Sequence, residues 1–82
     1  MQEADTKLGY YYVTVVDGPR CGFLLGPFQD DHQKALDYVD RVREVAKQGD
    51  PRAVFYGFGT ARVEPGATLP EGRLNHLFPE AF

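Results

Sequence analysis

The clearest hydrophobic pattern along the chain lies between positions 31 and 48, where apolar residues recur at steps of three and four. Such spacing places them on one face of an α-helix. Asp30 is the predicted N-cap, because its carboxylate can accept hydrogen bonds from the free N–H groups of the first turn. Gly49 follows where a left-handed C-cap residue is typical, and Pro51 closes the element. The predicted apolar stripe consists of Ala35, Leu36, Tyr38, Val39, Val42, Val45 and Ala46.

The opposite face of this helix carries charges of both signs. Asp37 and Arg41 are spaced i,i+4, and Asp40 and Arg43 are spaced i,i+3. Each such pair stabilises an isolated helix by only about 0.2–0.5 kcal/mol. We therefore predict a solvated face, and a charged docking surface for a partner is the alternative.

Three other stretches have the aromatic and β-branched composition that is typical of strands. The first covers residues 10–16. The second, over 21–25, follows an Asp-Gly turn signal and is expected to stop at Gly26-Pro27. The third is predicted over 53–63. The first two should pair as an antiparallel hairpin.

The two faces of the third strand differ in the size of their side chains. One face contains Gly57 and Gly59, whereas the other contains Tyr56, Phe58 and Arg62. Glycine within a strand often marks a close approach by another element. We therefore predict that the small face lies under the helix and that the bulky face points away from it.

The order strand, strand, helix, strand predicts an α+β fold of ββαβ type, with a three-stranded, mainly antiparallel sheet and one helix on one face. A right-handed crossover gives the strand order 2-1-3. The 82 residues form a single domain: a loose N-terminal tail over 1–8, a core over 9–63, and a loop and C-terminal tail or short helix over 64–82. A chain this small buries only about 60% of its unfolded surface, so we expect a homodimer.

One helix cannot cover both faces of a three-stranded sheet. The other face is predicted to expose aromatic side chains, and such a patch on a small protein marks an interaction surface. The C-terminal residues, a second copy of the chain or a different partner are the three candidates to cover it. The predicted interaction surface consists of Tyr10, Tyr12, Tyr56, Phe58 and Arg62.

Charge and composition narrow the class of partner. The net charge is −3 and the Lys and Arg residues are spread along the chain, which argues against a duplex DNA binder. Aromatic residues on one sheet face are nevertheless typical of single-stranded nucleic-acid binding, which is the alternative function. The polar start of the chain and the lack of a long apolar run predict a cytoplasmic protein without a membrane partner.

Candidate catalytic and metal-binding residues are few. His32 and His76 are far apart, with no other ligand at zinc-site spacing, so we predict neither a metal nor a cofactor. His32 is expected to face solvent. Cys21 is the only cysteine, so an intrachain disulfide is excluded, and a small buried hydrophobe is expected there rather than a nucleophile. The sequence therefore predicts no catalytic residues and no enzyme activity.

Several stretches carry a resemblance to a known group of proteins. The runs Tyr-Tyr-Val-Thr-Val over 11–15, Leu-Gly-Pro-Phe over 25–28 and Phe-Gly-Thr-Ala over 58–61 flank the predicted helix. In this pattern the chain resembles small accessory proteins of phages and prophages in GC-rich bacteria, over about residues 10–63. The resemblance implies an accessory or inhibitor protein that binds a host protein. The predicted function is a small, non-enzymatic protein-interaction module.

Overall fold

The computed structural model describes position 4 and residues 6–82 of the chain. Three strands form one sheet: β1 (Tyr10–Asp17), β2 (Arg20–Gln29) and β3 (Gly57–Val63). The central strand is β1, with β2 on one side and β3 on the other. Both neighbouring pairs are antiparallel, so β2 and β3 run in the same direction.

Helix α1 (His32–Gly49) covers one face of this sheet. Three short 3-10 turns complete the fold, at Pro51–Phe55, Asn75–Leu77 and Pro79–Ala81. The predicted α+β fold, with the strand order β2-β1-β3 and one helix on one face, is confirmed. The loose tail that we predicted over 1–8 falls partly outside the described residues.

The helix begins one residue later than predicted, because Asp31 and not Asp30 is its N-cap. The Asp31 carboxylate accepts a hydrogen bond from the Lys34 N–H at 3.0 Å. Asp30 has a φ of +55° and is bound to Gly9 instead. Its carboxylate accepts from the Gly9 N–H at 2.8 Å, and its own N–H donates to the Gly9 carbonyl at 2.7 Å. Asp30 thus ties the end of β2 to the start of β1.

Asp50 sets both the end of the helix and the start of β3. Gly49, which we predicted as a left-handed C-cap, is the last helical residue, and Asp50 follows in an extended conformation. The Asp50 carboxylate accepts a hydrogen bond from the Arg52 N–H at 3.0 Å, which caps the turn Pro51–Phe55. Because this turn takes up residues of high β-propensity, the strand begins only at Gly57.

Strand β2 continues through Gly26-Pro27, where we predicted a stop. Gly26 has a φ of +139°, and a Cβ there would lie 2.7 Å from Cδ1 of Tyr12 and 2.8 Å from the carbonyl oxygen of Tyr11. Glycine suits such a backbone because it has no side chain to clash. The pairing with β1 is irregular at Gly26 but continues past it, where Tyr11 lies opposite Phe28. The glycine therefore makes an irregularity within the strand, not its end.

The hydrophobic core lies between α1 and the sheet. Val13 of β1, Leu25 of β2 and Val42 of α1 are fully buried at its centre. Tyr38 and Phe58 pack against it from its margins. The buried members of the core are Tyr11, Val13, Leu24, Leu25, Phe28, Ala35, Val42, Phe78 and Ala81.

The prediction that the small face of β3 lies under the helix is wrong. Phe58 packs against the core beneath α1, and Oγ1 of Thr60 shares a hydrogen bond of 2.7 Å with Nε2 of His32. Gly57 and Gly59 alternate with these residues and so lie on the opposite face. A Cβ at Gly59 would meet nothing within 4 Å. Close packing explains the arrangement, because bulky side chains fill the space between sheet and helix and glycines would leave it empty.

The C-terminal part of the chain contacts the sheet face away from α1. Tyr12, which is buried there, donates a hydrogen bond from its hydroxyl to the Pro70 carbonyl at 2.6 Å. Burial raises the pKa of the Tyr12 hydroxyl above its ordinary value. The chain then turns to the helix side, where the ring of Phe78 meets the ring of Tyr38 edge-on, with centroids 5.8 Å apart. The C-terminal residues thus contribute to both faces.

Candidate functional site

The five residues that we predicted as an interaction surface do not lie together. Tyr10 and Tyr12 are on the face away from α1, and Tyr12 is fully buried. Phe58 and Arg62 are on the opposite face, in register with helix-facing residues of β1. Tyr56 lies between the turn and β3, outside the strand. The continuous aromatic patch expected from the sequence is therefore not formed.

Arg62 has a structural environment at the far end of β3. Its guanidinium donates hydrogen bonds to the Leu8 carbonyl at 3.1 Å and to the Glu64 carboxylate at 2.6 Å. The hydrogen bond and the positive charge hold the pKa of Glu64 below its ordinary value. Arg62 therefore ties this end of the strand to the chain on either side of it.

Two further expectations about single residues are wrong. His32 is buried rather than solvent-facing: its ring stacks on Tyr11, with centroids 4.7 Å apart, and bonds to Thr60. Because the helix begins after Asp31, His32 is its first residue, and its side chain points towards the sheet. Cys21, expected to be buried, is an exposed free thiol, since it lies next to the hairpin turn.

The outer edge of β2 is paired with the C-terminal segment over residues 23–26, and we call this part the closed edge. The Gly72 N–H donates to the Gly26 carbonyl at 3.2 Å, and the Leu74 N–H donates to the Leu24 carbonyl at 2.7 Å. The side chain of Asn75 adds two hydrogen bonds to the backbone of Gly26, one to the N–H and one to the carbonyl. Residues 72–75 therefore cover the middle of β2 with backbone and side-chain hydrogen bonds.

The outer edge of β3 over residues 57–61 has no such cover, and we call it the open edge. Within the described residues, β3 pairs with β1 alone, and no loop or turn donates to or accepts from the backbone of residues 57–61. Alternate residues of an antiparallel strand direct their N–H and C=O groups to opposite sides. Half of the backbone groups of the open edge thus point outwards, available to another strand.

A groove of about 520 Å³ runs between the open edge and helix α1, and we call it the edge groove. Leu36 and Val39 of the helix and Phe58 of the strand provide its apolar surface. All three are only partly buried, so their apolar surface is available to a partner. The complete lining is Gln33, Leu36, Asp37, Val39, Asp40, Phe58 and Gly59.

The charged residues that line the edge groove are acidic. Asp37 and Asp40 are exposed on α1 and contribute two carboxylates to the groove. Asp37 accepts a hydrogen bond from the Gln33 side chain at 2.7 Å, which leaves its charge uncompensated. Asp40 has a partner in Arg43 at 3.6 Å, but both side chains are exposed and such pairs are weak. The groove therefore presents apolar surface beside negative charge.

An exposed aromatic residue lies just before the open edge. Phe55 ends the turn Pro51–Phe55 and is 86% exposed, and its neighbour Val54 is also exposed. The turn is fixed by the Asp50 cap, so Phe55 is held in place without being buried. Aromatic residues held rigidly at a surface are common anchors of protein interfaces.

A second cleft, also of about 520 Å³, lies at the hairpin end of the sheet and is polar. In it, the Tyr56 hydroxyl donates to Oδ2 of Asp50 at 3.1 Å. The Arg52 N–H lowers the pKa of Asp50, and desolvation raises the pKa of Tyr56. Its lining mixes acids and bases with an exposed thiol: Val15, Asp17, Arg20, Cys21, Gly22, Asp50, Tyr56 and Arg73. The carboxylates and guanidinium groups balance, so this cleft favours no single ligand charge.

The sequence contained partial signals for the edge groove. Leu36 belongs to the predicted apolar stripe, at the margin of the stripe rather than at its centre. The sequence places Asp37 and Asp40 on a predicted solvated face, with a charged docking surface as the alternative. The position of β3 beside this margin was the missing information, because the faces of the strand were predicted the wrong way round.

Among the described residues, no group of three or more His, Cys, Asp or Glu side chains is placed to hold a metal ion. Over the same part of the chain, no helix is both long and apolar enough to cross a membrane. No family model matches the sequence, and no curated protein or solved structure shows significant similarity to it.

Proposed function

We propose that this chain is a non-enzymatic protein-interaction module that binds an extended segment of another protein along the open edge. The observation that carries the proposal is the strand β3, unpaired on its outer side and flanked by the edge groove. A segment that adds to a sheet edge gains main-chain hydrogen bonds, and pockets beside the edge select its side chains. The edge groove supplies such a pocket.

The contrast with normal protection of edge strands supports this proposal. Proteins cover their edges or place charges and prolines on them, because an open edge can pair with any other strand. This chain covers the middle of β2 with residues 72–75. Along the open edge, however, the residues on the sheet face away from α1 are Gly57, Gly59 and Ala61, which have neither charged nor bulky side chains. On this face, no described side chain of residues 57–61 blocks a partner strand.

The resemblance to phage accessory proteins favours a host protein as the partner. A second copy of the chain is the other candidate, since two open edges can pair in a homodimer. Light scattering separates the two: a monomer leaves the open edge to a different protein, whereas a dimer requires that its interface be mapped.

The single-stranded nucleic-acid alternative loses the arrangement on which it depended. Stacking of successive bases needs aromatic rings exposed on one face. Tyr12 is buried, and Phe58 lies on the opposite face of the sheet. We therefore propose protein binding alone.

The test is a selection of binding peptides followed by mapping on the protein. A displayed library of random seven-residue peptides is selected against the purified chain, and amide chemical shifts are recorded with each selected peptide. We expect the largest shifts at residues 57–61 and around the edge groove. Selected peptides that shift only residues far from β3, or a selection that returns no binder, would refute the proposal.

A pair of variants sharpens the mapping. Phe55→Ser removes the exposed aromatic residue before the open edge, and Leu77→Ser removes an exposed apolar residue from the C-terminal segment. Both side chains are exposed, so both variants should fold. We expect Phe55→Ser alone to weaken the selected peptides, by roughly tenfold for an interface anchor.

A further inference from the structure

The edge groove selects the side chains of a partner as well as its extended backbone. We infer that the segment bound at the open edge carries an apolar side chain flanked, on the same face, by Lys or Arg. This inference rests on the proposed function and names the chemistry of the partner.

The apolar requirement follows from the surface of the groove. A strand added beside β3 directs alternate side chains to the helix side of the sheet. There they meet Phe58 from the strand and Leu36 and Val39 from the helix. These side chains are partly exposed in the free chain, so a partner side chain of Leu or Ile size removes their remaining apolar surface from water.

The basic requirement follows from the acidic residues of the groove. Asp37 has no cationic partner within the described residues, and Asp40 has only the exposed Arg43 at 3.6 Å. An incoming carboxylate would be repelled by both aspartates, whereas Lys or Arg would be attracted. Arg43 opposes this preference, so its removal should strengthen the binding of a basic segment.

The spacing follows from the two-residue period of a strand. Side chains at positions i−2, i and i+2 of the partner all point to the helix side. An apolar residue at i can occupy the groove, and Lys at i−2 or i+2 has the length to reach a carboxylate on the helix. The pattern basic-x-apolar-x-basic reads the same in both directions and therefore suits parallel or antiparallel addition.

The probe is the fluorescent peptide Thr-Lys-Thr-Leu-Thr-Lys-Thr, compared with a form in which both Lys are Glu and a form in which Leu is Ala. We expect the Glu form to bind at least about tenfold more weakly, and the Ala form about tenfold more weakly. Raising the salt concentration should reduce the difference between the Lys and Glu forms, because exposed charges are screened.

Matched protein variants assign the effect to the groove. Asp37→Asn with Asp40→Asn should weaken the Lys peptide roughly fivefold, since two exposed charges are lost. Glu44→Gln with Glu71→Gln changes the net charge equally, outside the edge groove, and should have little effect. Arg43→Gln should tighten the Lys peptide. All five side chains are exposed, so the variants should keep the fold.

The outcomes separate this inference from the proposed function. If neutral or acidic peptides bind as tightly and still shift the amides of residues 57–61, the inference fails and edge binding stands. If the chain is a dimer whose open-edge amides are protected without peptide, a second copy is the occupant and the inference also fails. If neither probes nor selected peptides shift these amides and the chain is monomeric, both proposals fail.

Discussion

The two edges of the sheet differ in what lies beside them. On the closed edge, residues 72–75 bond to the backbone of β2 through three N–H groups and through the Asn75 side chain. On the open edge, β3 has no such partner among the described residues. The edge of β2 is thus closed by a segment distant in sequence, which bonds chiefly to Gly26.

Closing an edge of the sheet requires a close approach between two backbones. Gly72 lies so close to β2 that a Cβ would be 2.7 Å from Cα of Leu25 and 2.8 Å from the Leu24 carbonyl oxygen. At Gly59 on β3, a Cβ would have no neighbour within 4 Å. Gly72 is therefore needed for the contact between the C-terminal segment and β2, whereas the position of Gly59 has room for a side chain.

The largest predicted effect comes from valine at these two glycines. Gly72→Val should destabilise the fold by about 3 kcal/mol, because backbone atoms cannot move aside to accept the side chain. Gly59→Val should leave stability unchanged or raise it slightly, because valine favours an extended strand and nothing is displaced. Urea unfolding of the two variants measures the difference. Equal losses at both positions would show that the two edges are packed alike.

Asn75 provides the next contrast, because it closes its edge with a side chain. Its Oδ1 accepts from the Gly26 N–H at 2.9 Å, and its Nδ2 donates to the Gly26 carbonyl. Asn75→Ala leaves the buried Gly26 N–H without this partner, which should cost about 1–2 kcal/mol. His76→Ala, at the exposed next position, is the control and should cost little.

Hydrogen exchange reports the same substitution locally. In Asn75→Ala, the Gly26 amide should exchange faster, while the amides of residues 57–61 should keep their rates. An unchanged Gly26 rate would mean that the asparagine does not hold the closed edge.

The helix and the strand order could be predicted from the sequence because their signals are local. The apolar residues of α1 recur at helical spacing, and β1 is aromatic and β-branched throughout. The closed edge could not be predicted, because Gly72 and Asn75 act through backbone proximity and leave no periodic pattern. Their nearest signals were a Gly and an Asn in a segment that was otherwise ambiguous between loop and helix.

The candidate site was predicted less well, for a reason visible in β3. Gly57 and Gly59 suggested a close approach by the helix, which reversed the two faces of the strand and hid the edge groove. Gly57→Val, expected under that hypothesis to lower stability, should now be tolerated, since a Cβ there would meet Val16 only at 3.9 Å. Alternation identifies two faces but not which one is covered.

The smallest predicted effect is a dependence of the free energy of unfolding on pH. It should arise from the turn before the open edge and not from the Asn75 contact at the closed edge. The Arg52 N–H that bonds to the Asp50 carboxylate lowers the pKa of Asp50, and the Arg52 side chain and the Tyr56 hydroxyl act in the same direction. A carboxyl whose pKa is lower in the folded state adds stability above its unfolded pKa and loses it as pH falls through the folded value. The Asn75 contact has no group that titrates in this range.

Asp50→Asn should therefore reduce stability slightly at neutral pH, and the difference from the unmodified chain should vanish below the folded pKa of Asp50. Glu80 is included because its pKa is also lowered, by its own backbone N–H and by Arg41. Glu64, whose pKa is lowered too, is present in every variant and cancels in the differences. Urea unfolding from pH 7 down to about pH 2, carried out with Asp50→Asn, Glu80→Gln and the double variant, separates the two carboxyls. The Asp50 difference should be the same with and without Glu80, because Asp50 caps the turn before β3 whereas Glu80 pairs with α1 from the C-terminal turn. If the effect of Asp50→Asn changed strongly when Glu80 was replaced, the start of the open edge and the C-terminal segment would instead unfold as one unit.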